Sequence, residues 1–253
     1  MKRVLFFLYG LVCYGIFFGT FLYAMGFVGN LLVPKSVDVG YQAGTASAWL
    51  VDMVLLSVFA IQHSVMARQG FKKWWTRLVP KPIERSTYVL FSSLALIALF
   101  WYWRPLTDVV WETRNPVLVS GLIGTYFLGW GIVLFGTFLI NHFNLFGLQQ
   151  VYLNMRNREL MPPQFVKPLF YKVVRHPLML GFIIAFWSTP VMTIGHLLFA
   201  FASTGYILVA IQLEERDLVK LHGQEYVRYQ HEVSQIIPMP PRAEGRSLGL
   251  GEQ

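Results

Sequence analysis

The sequence predicts an all-α polytopic membrane bundle of about five to six transmembrane helices, with a C-terminal helical hairpin followed by a cytoplasmic C-terminal helix. Three observations predict it. Of the 253 residues, 55% are hydrophobic and only 13% are charged, where a soluble domain carries about a quarter. The apolar residues fall in runs of about 20, the number that crosses about 30 Å of hydrocarbon. Lysine and arginine crowd alternate connections, as the positive-inside rule asks.

The first run, residues 4–33, follows Lys2 and Arg3. A secretory signal has an apolar core of roughly 7–15 residues, and this run is far longer, so it reads as a retained span. The second, 47–67, is interrupted by Asp52 near its start and by Gln62, His63 and Ser64 near its end. The third covers 88–103 and the fourth 117–140. Residues 178–213 are too many for one helix, and Pro190, after Trp187-Ser188-Thr189, divides them into a hairpin. The whole chain, 1–253, is one membrane domain: four spans in 1–140, a cytoplasmic connector at 141–177, the hairpin at 178–213, a tail helix at 214–237 and a loose tail at 238–253.

Charge sets the orientation. Arg68, Lys72, Lys73, Arg77, Lys81 and Arg85 lie between the second and third spans, and Arg156, Arg158, Lys167, Lys172 and Arg175 precede the hairpin. The first connection has only Lys35, and in the third Arg104 and Arg114 are balanced by Asp108 and Glu112. Both termini are therefore expected in the cytoplasm, in a bacterial inner membrane. The net charge of +8 belongs to these loops and forms no separate stripe for nucleic acid. A single cysteine, Cys13, excludes an internal disulfide and a cysteine metal cluster.

The chemistry is expected between Tyr171 and Tyr229. Arg175, His176 and Pro177 stand at the threshold of the hairpin, and Glu214 and Glu215 stand at its exit. A hairpin returns both clusters to one face of the bilayer, a setting for a zwitterionic ligand. Arg175 would take its carboxylate through two nitrogens, and a glutamate would take hydroxyls or an ammonium. The bland alternative makes Arg175 and His176 interfacial anchors and ties the glutamates to Arg175 in a salt bridge. Glu215, His222, Tyr226 and Tyr229 are spaced by seven, four and three, along one face of a helix. That stripe could lie over a ligand, or be the buried side of an amphipathic helix. His63 and His142 fall at the depth of the charged clusters, near the same ends of the second and fourth spans. Polar groups at that depth usually face the bundle interior. Ser64, Asn144 and Gln149 add donors and acceptors there, and Asn141 or Asn144 could instead cap the fourth helix. Arg68 and Arg85 read first as loop anchors.

The order Tyr171, Arg175-His176-Pro177, Gly181, Glu214-Glu215, Leu218, Tyr226, Tyr229, Pro238 resembles the C-terminal signature of the integral-membrane methyltransferases that include the isoprenylcysteine carboxyl and phospholipid enzymes. Three more segments, Gln62 to Arg68, Glu84 to Tyr88 and Asn141 to Gln149, are similar to the bacterial methanethiol S-methyltransferases. The resemblance implies S-adenosyl-L-methionine as cofactor, held by Tyr171, Arg175, His176, Pro177, Gly181, Glu214, Glu215, Tyr226 and Tyr229 and covered by the tail helix. It implies a small thiol as acceptor, methanethiol becoming dimethyl sulfide. Such a thiol attacks as its thiolate, so His63 or His142 is expected as the base. Ser64, Asn144, Phe146, Gln149 and Trp187 would surround the substrate, and no metal is required. Two alternatives stay open: a lipid or isoprenoid methyl acceptor, and a haem-binding isomerase with His63 and His142 as axial ligands.

Overall fold

A computed structural model describes residues 1–160 and 167–239. In chain order the helices are α1 (Lys2–Gly29), α2 (Thr45–Ala67), α3 (Gln69–Trp75), α4 (Lys81–Tyr102), α5 (Pro116–Leu139), α6 (His142–Leu145), α7 (Leu148–Met155), α8 (Pro177–Trp187), α9 (Ile194–His222) and α10 (Gln224–Glu232). Two short strands, β1 (Val109–Glu112) and β2 (Val191–Thr193), complete the described architecture. Helices α1, α2, α4, α5 and α9 are each long and apolar enough to cross a membrane.

Their surfaces show why they need lipid. Along α2, Leu50, Val54, Val58, Ile61 and Val65 form an exposed apolar stripe, a face that water would not tolerate. The helix starts follow ordinary capping grammar. The Asn115 side chain accepts from the backbone of Val117 at 3.0 Å and Leu118 at 3.4 Å, ahead of Pro116 in the first turn of α5. Thr193 caps α9 by accepting from His196 N–H at 3.0 Å. Helix α4 starts at Lys81, with Pro82 and Glu84 in its first turn. The third span is thus longer than the expected 88–103, because its opening turns are polar and escape a hydropathy reading.

Helices α1 and α2 both pack on α4, and α8 lies along α5. The α5–α8 crossing depends on two glycines: a Cβ on Gly129 would meet the Gly181 carbonyl oxygen at 2.7 Å, and one on Gly181 would meet that of Gly129 at 2.7 Å. Small residues at a crossing let backbones approach closely within a bilayer. Away from the basic connections the bundle closes on buried aromatics, with Phe27–Phe100 ring centroids 4.8 Å apart and Phe186–Phe199 at 5.1 Å.

The hairpin differs from the expected pair of full spans. Helix α8 has only 11 residues, about 16 Å at 1.5 Å per residue. Residues 188–193 continue without helix, and β2 pairs antiparallel with β1, Val191 opposite Glu112 and Thr193 opposite Val109. Irregular backbone at membrane depth is tolerated where protein covers it, and Ser188, Met192 and Thr193 are buried.

The expected tail helix 214–237 is also corrected. Helix α9 carries Glu214 and Glu215 onward to His222, then Gly223, at φ +57°, breaks the chain before α10. Few side-chain-bearing residues adopt that backbone. Glu215, His222, Tyr226 and Tyr229 therefore do not share one helix. Of the expected loose tail, only residues 238–239 fall within the described residues. The connector contains α6, α7 and a 3-10 turn at Leu169–Lys172.

Candidate active site

After α10 the chain runs beside the start of α8. Arg175 N–H donates to Ser234 O at 2.8 Å, and His176 N–H donates to Gln235 O at 3.1 Å. This seam buries the Arg175 side chain, whose Nε and Nη2 donate to Glu215 Oε1 at 2.8 Å and Oε2 at 3.3 Å. Nη1 donates to Gln230 O at 2.8 Å and also to Val233 O. His176 Nε2 lies 2.9 Å from Glu215 Oε1, and Gln230 Nε2 donates to Oε2 at 2.8 Å. The Glu215 carboxylate is thus surrounded by a guanidinium, an imidazole and an amide, the pairing a buried charge requires. Arg175 engages a carboxylate with two nitrogens, as the sequence suggests, but the carboxylate belongs to Glu215.

The neighbouring Glu214 behaves differently. Adjacent helical positions point about 100° apart, and its half-exposed side chain lines a cavity of about 990 Å³ between α1, α2, α4, α5, α8 and α9. Glu214 Oε2 stands 3.8 Å from His176 Nδ1, which links the cavity to the buried network. Asp217, Leu218 and Leu221 line the same cavity. They follow Glu214 by three, four and seven residues, the recurrence of one helix face. That periodicity was available in the sequence, one register away from the stripe through Glu215.

His63 and His142 both line the cavity, with Ser64 and Phe146. Tyr88 Oη lies 2.9 Å from His63 Nε2, and Ser92 Oγ lies 3.0 Å from Nδ1. Tyr88 and Ser92 face the cavity as well. Over the Tyr88 ring, at 5.0 Å, sits the Arg85 guanidinium, whose Nε donates to Leu145 O at 2.7 Å. Arg68 Nη1 reaches Asp217 Oδ2 at 3.0 Å, and Ser64 Oγ is 3.4 Å from the Tyr206 hydroxyl. Arg68, Arg85, Glu214 and Asp217 therefore gather two cations and two carboxylates at the end of the cavity nearest the basic connections.

His142 has fixed partners. Thr137 Oγ1 gives its hydrogen to Leu134 O at 2.6 Å, so it accepts from His142 Nδ1 at 2.7 Å. Nε2 is left to accept from the Tyr14 hydroxyl at 2.8 Å. The Phe138 ring stacks on the imidazole at 4.3 Å, and this burial lowers the His142 pKa.

Several expected site residues lie elsewhere. Arg175, His176, Pro177 and Glu215 stand behind the cavity wall, and Gly181 serves the α5–α8 crossing. Tyr226 and Tyr229 are buried with ring centroids 5.7 Å apart, and Tyr229 donates its hydroxyl hydrogen to Tyr171 O. Burial pushes the Tyr229 phenol up to about 12. Asn144 and Gln149 bond within the connector, to Gln150 and Asn141 respectively. Trp187 ends α8 far from His176 and donates to Thr204 Oγ1 at 2.9 Å. Tyr88, Ser92, Tyr206 and Asp217 were not among the expected site residues; only Asp217 left a periodic signal.

No family model matches the chain, and no solved structure matches it. The chain is 57% identical to methanethiol S-methyltransferase 1 of Bradyrhizobium diazoefficiens, over 92% of this chain and 81% of that protein. It is 54% identical to the methanethiol S-methyltransferase of Mycobacterium tuberculosis, over 96% and 99% of the two chains. With that of Crocosphaera subtropica it shares 53% identity over 94% and 93%.

Proposed function

We propose that this chain, which belongs to the methanethiol S-methyltransferase family, methylates the sulfur of methanethiol with S-adenosylmethionine as donor and forms dimethyl sulfide. The observation that carries this reading is one cavity joining opposite charges at one end to two hydrogen-bonded histidines and apolar walls. The residues suit the donor. Its carboxylate would meet Arg85 or Arg68, and its ammonium and ribose hydroxyls would meet Glu214 and Asp217. The rings of Tyr88 and Tyr206 supply faces that attract a cation. Bound there, the donor supplies an activated methyl group.

The protein's remaining task is to take the thiol proton and hold sulfur in place. His63 is the favoured base, because both its hydrogen-bond partners face the cavity. Tyr88 Oη can accept the thiol proton while passing its own to His63 Nε2. Tyr14, the partner of His142 Nε2, is absent from the cavity wall, so His142 serves as an orienting and secondary group. Phe17 and Phe146, stacked at 3.8 Å, exclude water from this end. The Arg175–Glu215 network holds the α9 turn that presents Glu214. The crowding of lysine and arginine in the connections at this end supports reading it, and both termini, as facing the cytoplasm across the inner membrane. Purified protein mixed with labelled donor and methanethiol should release labelled dimethyl sulfide; no labelled sulfide would end the proposal.

A further inference from the structure

Methanethiol has two heavy atoms, yet the cavity continues far beyond the level of His63, Tyr88 and Tyr206. On α4 the lining extends from Tyr88 to Phe100, twelve residues or about 18 Å at 1.5 Å per residue. Beyond Ser93 the α4 wall is Leu96, Leu99 and Phe100, facing Ala24 and Val28 of α1 and Ala202 of α9. The ionisable side chains of the lining all lie at or before the level of His63, Tyr88 and Tyr206. The far end is closed by the buried rings of Phe100, Phe186 and Phe199. Beside the cavity, Phe18 and Met53 line it and are also 43% and 47% exposed, so an apolar guest can arrive from the bilayer.

We propose that this shaft takes the alkyl chain of a longer thiol, so that the enzyme methylates hydrophobic alkanethiols as well as methanethiol. The inference rests on the function proposed above. The shaft is walled mostly by apolar side chains, with Ser57 and Trp130 among the few that carry a polar atom, and such a lining suits an apolar guest. A chain lying in it leaves the sulfur at the level of Tyr88. The bond made is between thiol sulfur and the methyl carbon. The bond broken is the donor's sulfonium carbon–sulfur bond, whose electron pair stays on the donor sulfur. The thiol proton passes through Tyr88 to His63.

The test uses the full-length protein in nanodiscs and the series methanethiol, 1-butanethiol, 1-hexanethiol and 1-decanethiol, with methyl sulfides quantified by mass spectrometry. Turnover of 1-decanethiol within about tenfold of methanethiol is expected. The variants A202F and A24F, which plug the shaft, should lower kcat/KM for 1-decanethiol by about tenfold or more and leave methanethiol within about twofold. Turnover confined to methanethiol in the wild type would overturn the inference and leave the proposed function standing, as would a phospholipid acyl chain found occupying the shaft. Equal use of 1-decanethiol by both plugged variants, with methanethiol turnover intact, would also overturn it. Failure on every thiol, methanethiol included, would instead remove the function on which it rests.

Discussion

Arg175 and Glu215, forty residues apart in sequence, meet through two nitrogen–oxygen contacts of 2.8 and 3.3 Å in a site where both side chains are more than nine-tenths buried. The pair joins the start of α8 to the C-terminal half of α9. Removing one partner leaves the other charge buried alone, which costs about 3–5 kcal/mol. Arg175→Ala should therefore lower Tm sharply in detergent. Arg175→Lys should be intermediate, since an ammonium cannot reproduce the fork. An unchanged Tm in Arg175→Ala would remove the structural role.

Neighbouring glutamates should give opposite phenotypes. Glu214→Gln should weaken binding of the methyl donor by about tenfold, the worth of one charged hydrogen bond, with little change in Tm. Glu215→Gln should mainly lower Tm. Calorimetry with S-adenosylhomocysteine and thermal unfolding on the same samples separate the two. Identical behaviour of the variants would contradict the division of labour.

The proton path is tested at His63 and Tyr88. His63→Ala should reduce kcat by about 100-fold, the lower range for general-base catalysis, and Tyr88→Phe should resemble it. The deficit should shrink as pH rises, because a growing share of the thiol is then already thiolate and needs no base. A deficit constant across pH would assign both residues to packing.

His142 carries a pH signature of stability. Burial depresses its folded pKa below the ordinary 6.5, so between those two values the unfolded chain holds a proton that the folded one lacks. Stability is then complete above pH 6.5 and declines as pH falls toward the folded value. His142→Gln should flatten the corresponding slope of Tm against pH. A slope equal to wild type would show that this imidazole does not titrate on unfolding.

Much of the bundle was readable because lipid imposes a length and a polarity on each span. The basic connections likewise mark one side, and Arg175, Glu214, His63 and His142 all lie toward it. What could not be read were distinctions of direction and of tertiary hydrogen bonding. Nothing local says that Glu215 turns inward while Glu214 faces the cavity, since that depends on where α8 and the 230–235 segment lie. The short α8 was hidden because an apolar helix and an apolar strand have similar composition, and only pairing with Val109–Glu112 decides between them. Tyr88 meets His63 across two helices, a relationship with no sequence spacing to announce it.

The turn at Gly223 has a consequence for biogenesis. Gln230 and Val233, whose carbonyls hold the Arg175 guanidinium, are translated after every membrane span. A chain cut at Gly223 would keep α9 and the Arg175–Glu215 pair but lack those carbonyls and the Gln230 amide. Completion of the site thus waits on a segment synthesised after all the helices long enough to cross a membrane.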